Sequence, residues 1–434
     1  MEQFMKNKPS PINIIWFMMI VLSVIAASWT GNMEAVTAAA FDSAKAAVTL
    51  AIGLIGAMAL WLGLMKVIEE AGALKFIAKL VRPVMSRLFP NVPHDHPAMS
   101  AMVMNIAANM LGLGNAATPM GIKAMTELDK LNRKKGTATD AMCLFLAINT
   151  SSVTLLPLGV ITVRASAGAN TPASILIPSI FATVISTTTA IIAAKILQKR
   201  GSAELAVQTS EIDTEQVESE NKEKTKIPFS KIIFTILFIL AVIGGIASRA
   251  LSAPDDELTL KAFTGAMSTW LIPLIMSLFL FYGWLKGVKL YETLTEGAKE
   301  GFSIAIKIIP FMVAIFVGVG MFRASGALDI MVTFLNPVTS FFGMPAEALP
   351  MALIRPLSGS GAFGVMSEIV SKDPNSFLSY LVSTMQGSTE TTFYVLAIYF
   401  GAVGIKNARH AVPAALLADF MGIAGAVFIC RVLW

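Results

Sequence analysis

Cysteine is nearly absent. Cys143 and Cys430 are the only two in 434 residues, and both lie in apolar stretches. Two isolated thiols build no disulfide framework and no cysteine metal centre; they read as buried, inert groups. Histidine is as scarce, with His94, His96 and His410 alone. His94-Asp95-His96 stands in a proline-flanked turn without a third ligand, so no metal site is expected. Charge is thin as well: Asp, Glu, Lys and Arg make up 14% of the chain, against about 25% in a soluble globular protein. There is no G-x-x-x-x-G-K-[ST] phosphate loop, no H-E-x-x-H, and no G-x-S-x-G on a strand-to-helix turn. These absences argue against an ATP-driven pump in this chain and against an enzyme, and they call for no cofactor.

What is abundant is apolar. The chain is 55% hydrophobic with a mean hydropathy of +0.70, and runs of spanning length recur throughout. This is the composition of an all-α polytopic membrane protein, whose first partner is the lipid bilayer. The formal net charge of +5 does not point to nucleic acid, because basic residues here mark cytoplasmic loops. Lys6 and Lys8 before an apolar run from Pro11 to Trp29 superficially resemble a signal peptide. The run is long for one, and a second segment occupies the matching place later in the chain, so a retained first helix is expected with the N-terminus inside.

Further along, Ala46 to Met65 reads as a second span. Lys66 to Phe89 mixes five basic residues with Leu, Ile, Phe and Val, which fits an amphipathic helix on the cytoplasmic surface. Met99 to Leu111 is apolar and breaks at Gly112-Leu113-Gly114-Asn115-Ala116-Ala117-Thr118-Pro119. Basic residues follow at once, so the chain returns to the side it came from: a re-entrant hairpin. Ala138 to Val163 then crosses, interrupted at Asn149-Thr150-Ser151-Ser152 and Pro157, and Pro172 to Ala194 crosses back. Residues 195–231 are charged and rich in Glu and Lys, the composition of a flexible cytoplasmic linker.

After a connecting helix, about Phe229 to Ala247, the first half recurs. Ala44-Lys45 matches Ala298-Lys299, Gly72-Ala73-Leu74 matches Gly326-Ala327-Leu328, and Pro83-Val84 matches Pro337-Val338, all at one offset. Gly112 to Ala116 corresponds to Ser358 to Ala362, and Asn149 to Thr154 to Gln386 to Thr391. Charge then sets direction. Five basic residues follow the first hairpin, and only Lys372 follows the second; Arg164 is the lone basic residue in the loop after the first broken helix, whereas Lys406 and Arg409 follow the second. Segments alike in sequence but opposite in loop charge predict two inverted-topology repeats. Each holds transmembrane helices, an amphipathic surface helix, a re-entrant hairpin and a broken transmembrane helix. The division is 1–194 for the first repeat, 195–231 for the linker, and 232–434 for the connecting helix with the second repeat.

Four polar elements should converge near the midplane: Asn115 and Thr118 at the first tip, Asn149, Thr150, Ser151 and Ser152 at the first break, Arg355, Ser358 and Ser360 at the second tip, and Gln386, Ser388, Thr389, Glu390 and Thr391 at the second break. Broken helices offer half-helix N-termini to anions and free carbonyls to cations. An intramembrane carboxylate such as Glu390 marks a functional site by default. These residues are the candidate binding set for a small polar or anionic solute, with a proton or sodium as the possible coupling ion. Pairing of Arg355 with Glu390 for charge neutralisation alone is the competing reading.

The string Asn109-Met110-Leu111-Gly112-Leu113-Gly114-Asn115-Ala116-Ala117-Thr118-Pro119 resembles the signature of the spore maturation protein A family. Arg355-Pro356-Leu357-Ser358-Gly359-Ser360-Gly361-Ala362, together with Gln386-Gly387-Ser388-Thr389-Glu390-Thr391-Thr392-Phe393-Tyr394, resembles that of spore maturation protein B. Both families carry the nucleoside-recognition, or gate, domain. That resemblance implies a transporter-like fold related to concentrative nucleoside transporters, a bacterial inner-membrane location and a homo-oligomer. The expected function is secondary transport of the solute through the midplane site. The alternative is a non-transporting scaffold or sensor in envelope or spore maturation that keeps the fold.

Overall fold

The computed structural model describes residues 11–152, 154–198 and 260–434, with a few positions between 235 and 245. The charged linker, the acidic loop at Asp255 to Glu257 and most of the connecting helix therefore lie outside the described residues. Among those described there are helices and no strands. Three helices, Met33–Glu70, Pro172–Leu197 and Ala411–Leu433, are long and apolar enough to cross a membrane, and a bent pair within residues 290–324 makes a fourth if counted as one span. The chain is an all-α membrane protein.

Among the described residues, eight α-helices precede the linker: α1 (Pro11–Thr30), α2 (Met33–Glu70), α3 (Ala73–Leu88), α4 (Pro97–Met110), α5 (Gly114–Lys130), α6 (Asp140–Thr150), α7 (Leu158–Ser166) and α8 (Leu176–Leu197). Eight described from residue 260 onward follow it: α9 (Leu260–Leu285), α10 (Leu290–Ala324), α11 (Ala327–Phe341), α12 (Leu349–Ile354), α13 (Gly359–Lys372), α14 (Phe377–Ser388), α15 (Thr392–Ala402) and α16 (Ala411–Leu433). The order is the same in both halves: long helix, amphipathic helix, two arms around a tip, two short helices around a break, long helix. The turn before the amphipathic helix is built alike as well. Gly72 and Gly326 both sit in the left-handed region, at φ 84° and 80°, a conformation that Cβ-bearing residues resist.

Corresponding helices pack on each other. The most extensive contact joins α2 to α10 and the next joins α8 to α16. Small residues permit the first: a Cβ on Gly297 would stand 2.6 Å from the Leu62 carbonyl, and one on Gly301 2.6 Å from Ala59 Cα. In lipid such close backbone approach replaces the hydrophobic drive available in water. The second contact is similar, with Gly422 against Ser186 and Gly425 against Ile185. The short helices lie between these pairs, α6 touching α16 and α14 touching α8.

Two expectations need correction. The second span is not Ala46 to Met65 but the whole of α2, 38 residues long. Its Ala-, Leu- and Met-rich sequence, free of proline, carries the helix through Lys66 to Glu70, so the amphipathic helix starts only at Ala73, after the Gly72 turn. Arg164 does not lie in a loop. It closes the last turn of α7 and is only 2% exposed, its guanidinium over the Tyr380 ring at 5.9 Å.

Loop contacts sort the two ends of the bundle. At one end the Lys406 and Asn407 amides donate to the Gly136 carbonyl, at 2.9 and 3.0 Å, and Arg409 pairs with Asp140 at 2.9 Å. This joins the loop after α5 to the loop after α15. Elsewhere the Asn170 amide donates to Asn375 Oδ1 at 2.9 Å, joining the loop after α7 to the loop after α13.

Candidate functional site

Each break arises from the sequence locally. α6 ends at Thr150, where Ser151 turns its hydroxyl back on the helix and the Ser152 hydroxyl pairs with Thr154 Oγ1 at 2.7 Å. Ser151 donates to the Ile148 carbonyl at 2.9 Å, and Ser152 takes a positive φ of 51°. Pro157 then withholds a donor before α7. α14 ends at Ser388, whose hydroxyl donates to the Met385 carbonyl at 3.1 Å. Thr389 follows in extended backbone, and α15 starts at Thr392. Each break is tied to the tip of its own half. Leu155 N donates to the Met110 carbonyl at 3.1 Å, and Phe393 N to the Pro356 carbonyl at 3.1 Å. Across the halves, Glu390 N donates to the Thr150 carbonyl at 2.9 Å.

One cavity of about 760 Å³ opens where these elements meet, and all four contribute to its wall. The first tip provides Gly112 and Leu113, the first break Ser152 and Thr154, the second tip Gly359 and Ser360, and the second break Gln386, Gly387, Thr389 and Glu390. Of the residues expected at the site, Ser152, Arg355, Ser360, Gln386, Thr389 and Glu390 line this cavity. Asn149, Thr150, Ser151, Ser358, Ser388, Thr391 and Thr118 are not among its lining residues. The side chain of Asn115 lies outside the described residues.

Arg355 is 2% exposed. It donates through Nη1 to Thr391 Oγ1 at 3.1 Å and through Nη2 to the Thr389 and Gln386 carbonyls. Glu390 Oε2 stands farther off, at 3.9 Å from Nη2. The guanidinium thus holds the second break open by taking its orphan carbonyls. The Glu390 side chain is 50% exposed and faces the cavity with little of its hydrogen-bonding capacity used. Three buried polar atoms on this wall have no partner among the described residues: Arg355 Nε, Thr389 Oγ1 and Gln386 Oε1. Behind the second tip, Ser358 caps α13 by accepting from Gly361 N at 3.0 Å.

Asn149 serves the wall from behind. Its Oδ1 accepts from Asn109 Nδ2 at 2.9 Å and from the Tyr399 hydroxyl at 3.3 Å, and its Nδ2 donates to the Phe145 carbonyl at 2.9 Å. Asn105 adds a bond from Nδ2 to the Tyr399 oxygen at 3.0 Å. Sequence reading missed Asn105, Asn109 and Tyr399, which sit on regular helices with no break to mark them. It also missed Lys66, Glu69 and Glu300, which line the cavity from α2 and α10. Asp419 was missed too; a single carboxylate within the apolar α16 was its only signal.

The model of the Gate family, described as nucleoside recognition, matches residues 51–203 and 305–406, which hold both tips and both breaks. The chain belongs to this Gate family. It is 46% identical over 181 residues to spore maturation protein A of Bacillus subtilis, covering 42% of this chain and 92% of that one. It is 46% identical over 169 residues to spore maturation protein B of the same organism, covering 39% of this chain and 95% of that one. The pair is consistent with a fused A/B protein. A shorter match, 33% over 75 residues, covers 17% of this Gate protein and 49% of inner membrane protein YjiG of Escherichia coli K12.

Proposed function

We propose that this Gate-family protein is an inner-membrane secondary transporter for a small polar solute, with the cavity between tips and breaks as its binding site. The observation that carries this reading is the convergence of four interrupted elements on one cavity whose wall holds unpartnered polar atoms. Lipid-facing backbone tolerates no such interruption; it is stable where protein or a wet cavity satisfies it. The polar version of the solute is better supported than the anionic one. Arg355 donates to the protein's own carbonyls, whereas the half-exposed carboxylate of Glu390 faces the cavity.

We further propose that residues 1–194 and 232–434 form inverted repeats around a cytoplasmic linker at 195–231. The N-terminus is then inside, and the tips and breaks are re-entrant and midplane elements. The loop contacts support this. Lys134 and Lys406 belong to loops that touch each other, while the loop after α13, beyond Lys372, touches the loop after α7. Equivalent loops thus fall with non-equivalent partners, as inversion requires. No covalent chemistry and no resident cofactor belong to this reading; a proton or sodium is the coupling ion, and the protein assembles as a homo-oligomer.

The test is thermal stability of the purified protein against nucleosides, dicarboxylates, dipicolinate, amino acids and sodium, for the wild type and Glu390→Gln. A ligand that binds the native state raises its apparent stability. A solute that stabilises the wild type and not the variant is the expected result. No stabilisation by any of them favours the scaffold reading.

A further inference from the structure

Asp419 stands apart from the cavity and is not part of its wall. It lies in the middle of α16, a helix of spanning length and apolar composition, and is 2% exposed. The Thr392 hydroxyl donates to its Oδ2 at 2.6 Å, while its Oδ1 has no partner among the described residues. No ion pair within 4.0 Å involves Asp419 among the described residues. On the elements packed against α16, the titratable groups are Asp140 and Cys143 of α6, Tyr380 of α14, Tyr394 and Tyr399 of α15, and Lys195 of α8. Arg355, at the second tip, acts on Asp419 through space, and its guanidinium is bound by the Thr389, Thr391 and Gln386 oxygens.

An ionised carboxylate in that position would be taken out of water with one hydroxyl as compensation and no cation in contact. A buried charge in that condition is strongly unfavourable, and the neutral acid removes the penalty. Sodium is the less favoured occupant, because a hard cation needs several oxygens around it and a single hydroxyl is hydrogen-bonded to Asp419 among the described residues. We propose that Asp419 is a proton-binding site that senses the second break through Thr392. Thr392 is the first residue of α15 and follows directly on Thr389, Glu390 and Thr391, the segment that Arg355 pins. Thr392 is a positioning residue here. Any shift of α15 that withdraws its hydroxyl removes the one hydrogen bond made to Asp419 and changes the balance between acid and carboxylate. Proton uptake and the geometry of the cavity wall are thereby linked. The proposal goes beyond the transport reading and needs no solute.

Infrared difference spectra of the full-length protein, recorded from acidic to alkaline buffers, test it for the wild type, Asp419→Asn, Glu390→Gln and Thr392→Val. The expected result is a protonated-carboxyl band at neutral pH that is lost in Asp419→Asn and kept in Glu390→Gln. In Thr392→Val the band shifts in frequency and titrates at a different pH. Absence of the band from the wild type at neutral pH overturns the proposal, as does its survival in Asp419→Asn or an unchanged band in Thr392→Val. Asparagine resembles the neutral acid in shape, so Asp419→Asn should melt at or above the wild-type temperature at neutral pH. A marked loss of stability would show that the ionised form is required. A rise in wild-type stability with sodium chloride over choline chloride, absent from Asp419→Asn, would assign the site to sodium instead.

Discussion

The Glu390 amide and the Thr150 carbonyl meet at 2.9 Å and join the two broken helices backbone to backbone. Thr150 is the last residue of α6, so its carbonyl is one of the acceptors a helix end leaves without a partner. Glu390 lies in the extended stretch between α14 and α15, where its amide is an equally unmet donor. Each interruption supplies what the other lacks. In a bilayer this fixes where the breaks can be: side by side, inside protein.

Arg355 should matter more to stability than Glu390. Replacing Arg355 with Met strands the Thr389 and Gln386 carbonyls and the Thr391 hydroxyl, and should lower stability by about 2–4 kcal/mol. Glu390→Gln removes a half-exposed group 3.9 Å from its partner and should cost about 1 kcal/mol or less. Thermal melts of the purified variants decide the order. A larger loss for Glu390→Gln would mean that the ion pair, not the carbonyl cradle, holds the break.

The seam between α2 and α10 gives a contrast within one helix pair. An alanine Cβ at Gly301 would stand 2.6 Å from Ala59 Cα, backbone that cannot swing aside. Gly301→Ala should therefore cost about 1–3 kcal/mol. Gly53 on α2 has open space where its Cβ would be, so Gly53→Ala should be neutral or stabilising by up to about 1 kcal/mol, as helix propensity alone dictates. Equal melting temperatures for the two variants would contradict the packing described.

His96 provides a pH dependence at a helix cap. Its Nδ1 accepts from Ala98 N at 3.1 Å, which requires that nitrogen to be unprotonated. Burial, the largest influence, holds the imidazole below its ordinary value of 6.5, with Glu127 raising and Lys130 lowering it further. A depressed folded value means that the unfolded chain takes up the proton first as the pH falls. The cap's contribution is whole above the ordinary value and is lost as the pH falls through the depressed one. His96→Asn, an effective cap without a titrating ring, should melt with a flatter acid limb. An identical limb would place the acid sensitivity elsewhere.

The inversion has its own test. Single cysteines replacing Lys134, Lys372 and Lys406 should react with a membrane-impermeant thiol reagent from one face for Lys134 and Lys406, and from the opposite face for Lys372. Labelling of all three from the same face would sink the inverted arrangement.

Much of this was legible from local chemistry. Glycine, proline and runs of hydroxyls mark a break wherever they interrupt an apolar run, so Gln386 to Thr392 and Asn149 to Ser152 announce themselves. The Gly72 and Gly326 turns did so too, through a shared offset. What the chain order hides is which face a residue presents. Thr150 and Ser388 stand at the breaks, but their hydroxyls bond to their own helices, while Lys66 and Glu300 lie on long helices whose packing brings them to the cavity. Arg164 looked like a loop charge because a lone arginine at the end of an apolar run is usually solvated; here the Tyr380 ring covers it. Asp419 carried no motif at all. Its isolation becomes informative only once burial is known.

The central claim, that the cavity is a transport site reached from either side, is tested most directly at Ser360, which lines its wall. A single cysteine at that position, in a protein with Cys143 and Cys430 replaced, is exposed to an impermeant thiol reagent on one face of sealed vesicles and then on the other. The account predicts labelling from both faces. Labelling from one face alone would contradict alternating access and leave a fixed pocket in a membrane scaffold.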